Sequence, residues 1–329
     1  RYLFEGIGLL FIGISGIIIY LNVNNSSNVI ALLGAFALGA QKLLPTMQSS
    51  YKSWSLLYFY NKGLNRILNL LKLADNKNLY IKEKLSFKKE INIVNLNFFY
   101  SKGKKNISNN LNFNIAKGEN IGIFGKTGSG KTTLINILMG ILYPVKGNIY
   151  VDNQNIFNNK DTNVLNKWRN NISHVPQDVF LYDSNILENI AFCMPREEIN
   201  IEKVIKAAKI SHAHEFICKT NNGYETLVGE KGIKLSGGQK QRIGIARALY
   251  NDSDLIIFDE STSSLDFKTE KLVIESIFDN KSCDSLTTIT IAHRLSTLRY
   301  CDKVIELNEG SIIEIYDKES FYEKFHKDF

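Results

Sequence analysis

Two long apolar runs open the chain, and a polar loop separates them. The first run, residues 3–20, carries a single charged side chain, and the second covers residues 29–44. A helix over the first run would be about 27 Å long at a rise of about 1.5 Å per residue, close to the hydrocarbon thickness of a bilayer. The pattern therefore predicts two membrane helices.

Two other interpretations of these runs exist. A signal peptide does not fit the first run well, because no cleavage-like exit follows it and a second apolar run comes at once. A buried helical hairpin of a soluble protein stays open as the alternative.

The basic residues near these runs predict an orientation. The loop at residues 21–28 contains no Lys or Arg. Cytoplasmic flanks of membrane helices are enriched in both residue types, so we expect this loop outside and the far ends in the cytoplasm. The basic residues at those far ends are Arg1, Lys42, Lys52, Lys62 and Arg66.

Apolar side chains continue at helical spacing beyond Pro45. Steps of three and four residues are the period of an amphipathic helix, so the second membrane helix is predicted to run on into the cytoplasm. We assign residues 1–75 to the end of a transmembrane domain and the polar, Lys-rich segment 76–88 to a linker. The recurring residues are Met47, Tyr51, Trp54, Tyr58, Leu64, Ile67, Leu68 and Leu71.

From residue 89 to residue 329 the pattern changes to short β-branched runs, Gly-containing turns and amphipathic stretches. Runs such as NIGIF, LIIFDE and TTITIAH are typical of strands, and helical stretches alternate with them. This alternation predicts an α/β domain with a largely parallel sheet.

Composition narrows the possible classes. A chain of 329 residues with 44% hydrophobic and 22% charged residues can build two packed domains. The net charge of +7 is compatible with nucleic acid, with an anionic membrane surface, or with Lys acting simply as the solubilising residue. Four cysteines without CxxC spacing argue against a zinc site and against a disulfide framework.

The stretch GKTGSGKTT at residues 125–133 fits the phosphate-binding pattern G-x-x-x-x-G-K-[ST]. It follows a predicted strand and opens a predicted helix, which is the context that the pattern requires. Glycines let successive N–H groups turn toward phosphate oxygens, Lys131 can reach the β- and γ-phosphates, and Thr132 can hold Mg²⁺. The predicted nucleotide-binding residues here are Gly125, Lys126, Thr127, Gly128, Ser129, Gly130, Lys131, Thr132 and Thr133.

A second motif, LIIFDE at residues 255–260, supplies acidic groups at the end of a buried strand. Asp259 can reach Mg²⁺ through water, and Glu260 is placed to act as general base on an attacking water. Together with the phosphate-binding loop, this motif predicts a nucleotide hydrolase.

The stretch LSGGQKQR at residues 235–242 places small and polar residues at the start of a predicted helix. A hydroxyl, exposed backbone N–H groups and a helix N-terminus form an anion site. Ser236, Gly237, Gly238 and Gln239 are therefore compatible with an anion site, and also with a plain N-terminal turn of a helix.

In their order along the chain, GKTGSGKTT, LSGGQKQR, LIIFDE, STSSLD and IAHRLST resemble the nucleotide-binding domain of ATP-binding cassette (ABC) transporters. The resemblance covers residue 90 to the C-terminus. It implies a P-loop NTPase fold with a mostly parallel sheet, an antiparallel β subdomain and a helical subdomain. It also implies ATP and Mg²⁺ as cofactors, and two such domains that enclose two ATP molecules head to tail. The segment 236–239 of one copy would then face the ATP held by Lys131 of the other.

Further roles follow from the same resemblance, residue by residue. Tyr100 matches the aromatic residue that stacks on adenine, and Gln177 matches the glutamine that senses Mg²⁺. His293 matches the histidine that contacts the γ-phosphate, and Asp266 matches the aspartate that communicates across the dimer.

The exporter type of this family is favoured by the order of the two parts and by GEKG at residues 229–232. The resemblance implies that the apolar runs are the last two helices of a six-helix half-transporter, so we expect the chain to be a fragment that begins within a longer protein. It further implies a multi-pass protein of the cytoplasmic (inner) membrane, with its ATPase domain on the cytoplasmic side. The expected partners are a second half-transporter, in the simplest case an identical copy, and the lipid bilayer. The expected cargo is amphipathic, for instance a lipid, a lipid-linked saccharide or a peptide.

Two other function classes fit the sequence less well. A soluble ATPase of the same superfamily, acting on DNA or in translation, is disfavoured by the apolar runs, so no nucleic-acid partner is expected. A regulatory or channel protein that binds ATP without turnover is disfavoured because Glu260 and LSGGQ are both intact.

Overall fold

The computed structural model describes residues 2–22, 26–74, 83–100, 107–157, 162–261, 265–278, 286–292 and 294–326. The chain divides into two compact units, Arg1–Leu79 and Tyr80–Phe329. Each unit is described by itself below.

The N-terminal unit consists of two helices, α1 (Tyr2–Asn22) and α2 (Ser26–Ala74). Helix α2 continues through Pro45 for 49 residues, as the apolar spacing predicts. Gly8 of α1 lies close to Leu44 of α2, where a Cβ would be 3.6 Å from Leu44 Cδ2. Among the described residues, no helix is long and apolar enough to cross a membrane, and the two membrane spans remain a prediction.

The C-terminal unit contains two sheets. An antiparallel sheet has the order β2-β1-β4-β5, and a six-stranded sheet has the order β10-β9-β3-β8-β7-β6. All neighbours in the larger sheet are parallel except β9 and β10. The strands are β1 (Glu90–Phe98), β2 (Ser108–Ala116), β3 (Asn120–Phe124), β4 (Lys146–Val151), β5 (Gln154–Asn155), β6 (Ile172–Val175), β7 (Leu255–Asp259), β8 (Thr287–Ile291), β9 (Lys303–Asn308) and β10 (Ser311–Asp317).

Helices cover the larger sheet and also form a separate helical layer. They are α3 (Lys131–Leu138), α4 (Thr162–Arg169), α5 (Ile186–Ile190), α6 (Ile201–Ile210), α7 (His214–Cys218), α8 (Gly237–Tyr250), α9 (Phe267–Phe278), α10 (Leu295–Leu298) and α11 (Lys318–Phe325). The predicted architecture, a parallel sheet with an antiparallel β subdomain and a helical subdomain, is confirmed.

Burial explains this arrangement. Every residue of β8 is buried, as are the first four residues of β7, which is expected for parallel strands with both faces covered. Apolar residues of α5, α6 and α8 form a core of their own, distinct from the core that packs α3 against β3. The helical subdomain is therefore stabilised by its own apolar contacts.

The described chain resumes at Glu83, inside the predicted linker, and residues there pack onto the sheet. Leu85 and Phe87 are each 6% exposed. The backbone of Leu85 exchanges two hydrogen bonds with the side chain of Asn171, both of 2.8 Å. The side chain of Asp152 accepts from the backbone N–H groups of residues 88, 89 and 90. Residues 83–90 are thus attached to the C-terminal unit.

Candidate nucleotide-binding site

The predicted phosphate-binding loop connects β3 to α3. Gly125, Gly128 and Gly130 have φ values of 150°, 81° and 101°, which side-chain-bearing residues adopt at a cost. A Cβ at Gly125 would lie 2.0 Å from the carbonyl oxygen of Leu307, and one at Gly130 would lie 2.6 Å from that of Ile107. Glycine is therefore required at these two positions by both backbone angle and space.

Lys131 is the first residue of α3 and is only 6% exposed. Its ammonium Nζ donates to the carbonyl oxygens of Gly125 at 2.8 Å and Lys126 at 3.2 Å. Burial lowers the pKa of Lys131, while Glu260 and Asp259 act in the opposite direction through their charges. Ile123 of β3 and Asp259 of β7 both pair with Ile291 of β8, so the strand that leads into the loop and the strand that ends in the acidic pair reach the same edge of the sheet.

The loop also has the polar groups that an anion needs. Between described residues, no hydrogen bond engages the backbone N–H groups of Lys126, Thr127, Gly128 or Thr132. The hydroxyl of Ser129 is buried and has no hydrogen-bond partner in the described part of the chain. Free donors at a helix N-terminus, in a loop where a Cβ would not fit, suit phosphate oxygens. The residues therefore fit a nucleotide.

Asp259 is the last residue of β7 and Glu260 follows it, and both are half-buried. Burial raises the pKa of Asp259, and the charges of His174 and Lys131 oppose that rise. Glu260 has a φ of 50°, and its N–H donates to the carbonyl oxygen of Ile291 at 3.1 Å. A left-handed conformation at a side-chain-bearing residue is uncommon and often marks a functional position.

His174 is a neighbour of Asp259 that the sequence analysis missed. It pairs with Ile257 in the parallel register of β6 and β7, and its side chain lies on the face that Ile257 and Asp259 share. The position of this histidine, three residues before Gln177, could have indicated that it lies near the site. Strand β6 is short and polar, however, and was not predicted as a strand.

Tyr100 and Gln177 contact different helices, Tyr100 the helix that follows the loop and Gln177 the helix α8. The Tyr100 hydroxyl lies 3.3 Å from the Thr133 hydroxyl, and its ring is 60% exposed. Tyr100 is therefore beside the first turn of α3, with an accessible aromatic face. Gln177 is exposed, and its backbone carbonyl accepts from Gln241 Nε2 of α8 at 3.2 Å. The predicted site residue His293 lies outside the described residues.

The stretch from Ser236 to Gln239 forms the N-terminus of α8. The Ser236 hydroxyl accepts from the Gln239 N–H at 3.3 Å, and Gln239 Oε1 accepts from the Ser236 N–H at 2.9 Å. This reciprocal pair is a capping box. Gly237 and Gly238 follow as the first helical residues, where they keep the helix end uncrowded.

Within the described chain, no hydrogen bond or ion pair links residues 236–239 to residues 125–133. Leu235 packs on the core of the helical subdomain, whereas α3 belongs to the core of the sheet. One chain therefore presents the two predicted halves of the nucleotide site on separate structural layers.

Asp266 caps the next helix. Its Oδ2 accepts from the Thr269 N–H at 3.0 Å, and this hydrogen bond lowers the pKa of the Asp266 carboxyl. The side chain is exposed, so the cap leaves it accessible to a neighbouring molecule.

A glycine-rich loop between strand and helix, a buried lysine and an acidic strand end define a P-loop nucleotide-binding domain. The family model described as "ABC transporter" matches residues 108–263. The chain therefore carries an ABC transporter nucleotide-binding domain.

Individual relatives agree with that assignment. The chain is 41% identical over 245 residues to the alpha-hemolysin translocation ATP-binding protein HlyB of Proteus vulgaris, covering 72% of this chain and 34% of HlyB. It is 43% identical over 227 residues to the leukotoxin translocation ATP-binding protein LktB of Mannheimia haemolytica, covering 69% of this chain and 31% of LktB. The chain thus spans about a third of the length of these relatives.

Among solved structures, a bacterial Atm1-family ABC exporter with ATP bound is similar at a TM-score of 0.71 and 27% identity. The match covers 91% of this chain and 55% of that one. Since residues 80–329 alone are a smaller share of the chain, the matched part extends into the helical N-terminal unit.

Proposed function

We propose that the chain hydrolyses ATP and couples this hydrolysis to export, as one half of a dimeric transporter. The observation that carries the proposal is that the loop after β3 and the acidic pair after β7 lie at the same edge of the sheet, and that several N–H groups of this loop have no hydrogen-bond partner among the described residues. The relatives are named translocation ATP-binding proteins, and these names support the coupling of hydrolysis to transport.

The roles of the residues follow from their positions. Phosphate oxygens would take the place of the two carbonyl oxygens that now accept hydrogen bonds from the Lys131 ammonium. They would also accept hydrogen bonds from the free N–H groups of the loop. Thr132, Gln177 and Asp259 would hold Mg²⁺, which when bound neutralises charge on the phosphate oxygens. Tyr100 would stack on adenine, and His293 would contact the γ-phosphate.

Glu260 is proposed to take the proton from the attacking water. A general base must be held within hydrogen-bond reach of that proton, and Glu260 is fixed through its N–H at the end of β7. A carboxylate can accept this proton, which a glutamine at the same place cannot do.

Each nucleotide site is proposed to be completed by a second chain. Lys131 and Ser236 belong to separately packed layers, which supports a head-to-tail arrangement in which segment 236–239 of one copy faces the loop of the other. Asp266, exposed at the start of α9, would lie at the junction. An identical second copy satisfies this requirement because one chain carries every motif.

The N-terminal unit is proposed to belong to the membrane part of the exporter, in the cytoplasmic membrane. Its helices expose large apolar side chains, which lipid or further helices would cover: Leu10, Phe11, Ile14, Ile17, Ile18 and Leu21. The cargo is proposed to be an amphipathic molecule, namely a lipid, a lipid-linked saccharide or a peptide. The toxins in the names of the relatives favour the peptide among these.

The test is the ATPase rate of the full chain in detergent micelles, measured against protein concentration. We expect a rate per chain that rises with concentration and is abolished by Glu260→Gln. Glu202→Gln, an exposed carboxylate at the start of α6, serves as the control and should keep the wild-type rate. A rate that Glu260→Gln leaves unchanged would refute the proposed hydrolysis.

A further inference from the structure

The first turn of α9 contains a buried carboxylate that the nucleotide motifs do not use. Glu270 is 4% exposed. One of its oxygens accepts from Arg294 Nη1 at 2.9 Å, and the other accepts from the Thr297 hydroxyl at 2.8 Å. A buried carboxylate is tolerated when its oxygens are paired in this way, and removing its partners is costly.

Thr297 belongs to α10, a helix of a single turn, and Arg294 is the N-cap residue that precedes this helix. Thr297 is itself 4% exposed, while the Arg294 side chain is 51% exposed and lies over the carboxylate from the solvent side. A helix this short has little stability of its own, because nucleation is unfavourable and tertiary contacts must hold it. Glu270 therefore contributes strongly to the placement of α10.

Residues 291–292 and 294–298, together called the α10 segment, contact β3 and the backbone of Glu260 at three points. Ile291 accepts from the N–H of Glu260, and Ala292 donates to Ile123 of β3 at 3.4 Å. Leu298 packs over Gly122, where a Cβ would lie 3.0 Å from Leu298 Cδ2. The segment therefore lies against the strand that leads into the phosphate-binding loop and against the backbone of the proposed base.

The backbone of Glu270 is hydrogen-bonded to the turn that contains Asp266. The Glu270 N–H donates to the backbone carbonyl of Asp266 at 2.9 Å. One residue thus joins a turn proposed to face the partner chain with a segment that contacts β3 and Glu260.

We propose that Glu270 is a positioning residue that couples the two nucleotide sites of the dimer. Through Arg294 and Thr297 it makes the Asp266 turn and the α10 segment move together, so that closure at one site adjusts the placement of Glu260 at the other. This inference rests on the proposed ATPase function and adds a residue to it.

The experiment compares Glu270→Ala with Glu202→Ala in the full chain in detergent. Both variants remove a carboxylate from the first turn of a helix, but Glu202 is exposed and makes no contact with the site. We measure the ATP dissociation constant, kcat, the Hill coefficient for ATP and the Tm. For Glu270→Ala we expect kcat to fall about 10-fold and the Hill coefficient to fall toward one, with ATP affinity close to that of the control.

The conservative variant Glu270→Gln tests whether the hydrogen bonds of this side chain are what matters. In Glu270→Gln the amide oxygen can accept from Arg294 and the amide nitrogen can donate to the Thr297 oxygen, so kcat and the Hill coefficient should recover. Wild-type kcat and cooperativity in Glu270→Ala would overturn the proposal, as would a loss of ATP affinity that matches the loss of kcat.

If Glu270→Ala does not fold, the variant Thr297→Val tests the proposal instead. This change removes the hydroxyl that donates to Glu270 and keeps the shape of the side chain. It should lower kcat at unchanged ATP affinity, and a wild-type kcat would overturn the proposal. A wild-type chain that hydrolyses ATP no faster than Glu260→Gln refutes the proposed function itself, and the inference with it.

Discussion

Ser236 and Gln239 cap each other at the start of α8: the serine hydroxyl accepts from the glutamine N–H, and the glutamine Oε1 accepts from the serine N–H. Both residues were expected to bind nucleotide, and the structure gives both side chains a role within their own helix. The cap uses the N–H of Gln239, while the N–H groups of Gly237 and Gly238 have no hydrogen-bond partner among the described residues and can donate to an anion.

The capping box makes a prediction about stability. Ser236→Ala and Gln239→Ala should each lower the free energy of unfolding by about 1 kcal/mol, because each removes a hydrogen bond at the helix start. The double variant should lose less than the sum of the two, since either change already breaks the reciprocal pair. Denaturant unfolding of the four proteins checks this, and strictly additive losses would show that the residues do not act as a pair.

The loop glycines should differ in their tolerance of a methyl group. At Gly125 a Cβ would lie 2.0 Å from the Leu307 carbonyl oxygen, whereas at Gly128 no heavy atom lies within 4 Å. Gly125→Ala should therefore displace the loop and lower ATP affinity by about 100-fold, as misplacement by about 1 Å can do. Gly128→Ala should cost only about 1–2 kcal/mol of backbone strain. Equal ATP affinity of the two variants would contradict the geometry.

The hydrogen bonds of the Asp152 carboxyl predict that the stability of the protein depends on pH. Burial acts to raise the pKa of its carboxyl, but the N–H groups of Lys88, Lys89 and Glu90 hold the pKa below its ordinary value. The resulting stabilisation is present above the unfolded-state pKa, about 3.9, and is lost as the pH falls through the lower folded-state pKa.

Asp152→Asn should therefore lower stability by about 1–2 kcal/mol at neutral pH. Asn suits the left-handed backbone at this position, where φ is 46°, so the change tests the charge rather than the conformation. The difference in Tm from wild type should shrink as the pH falls below about 4. Asp183→Asn, at an exposed site, is the control and should show no such trend. A difference that is constant with pH would contradict this account of residues 88–90.

The parts of the fold that short patterns encode were predictable. The strands β3, β7 and β8 appear where their apolar runs stand, and the glycines of the loop have the backbone angles that the motif requires. Helix α2 continues past Pro45 because the apolar spacing does not change there. Each of these features depends on residues close together in the chain.

Features that depend on distant partners were not predictable. The attachment of Leu85 to Asn171 joins residues 86 positions apart, so residues 83–88 looked like a plain linker. Strand β6 contains Ser173, whose hydroxyl is 2.7 Å from that of Ser253, and without this partner the sequence ISHV has no clear strand pattern. The pairing of Glu270 with Arg294 and Thr297 could not be predicted from the sequence for the same reason.

The central claim is that each nucleotide site is built from two chains, and mixing two inactive variants tests it most directly. Lys131→Ala removes the loop lysine, and Ser236→Glu places a negative charge where the partner's phosphate would lie. In a mixed dimer, one site then has an intact loop from one chain and an intact segment 236–239 from the other. We expect each variant alone to be inactive and the equal mixture to recover up to about a quarter of the wild-type ATPase rate, since half of the dimers are mixed and each carries one intact site. Coupling between the two sites would lower the recovered rate below this value. A mixture as inactive as its components, once exchange of chains between dimers is established, would contradict the account.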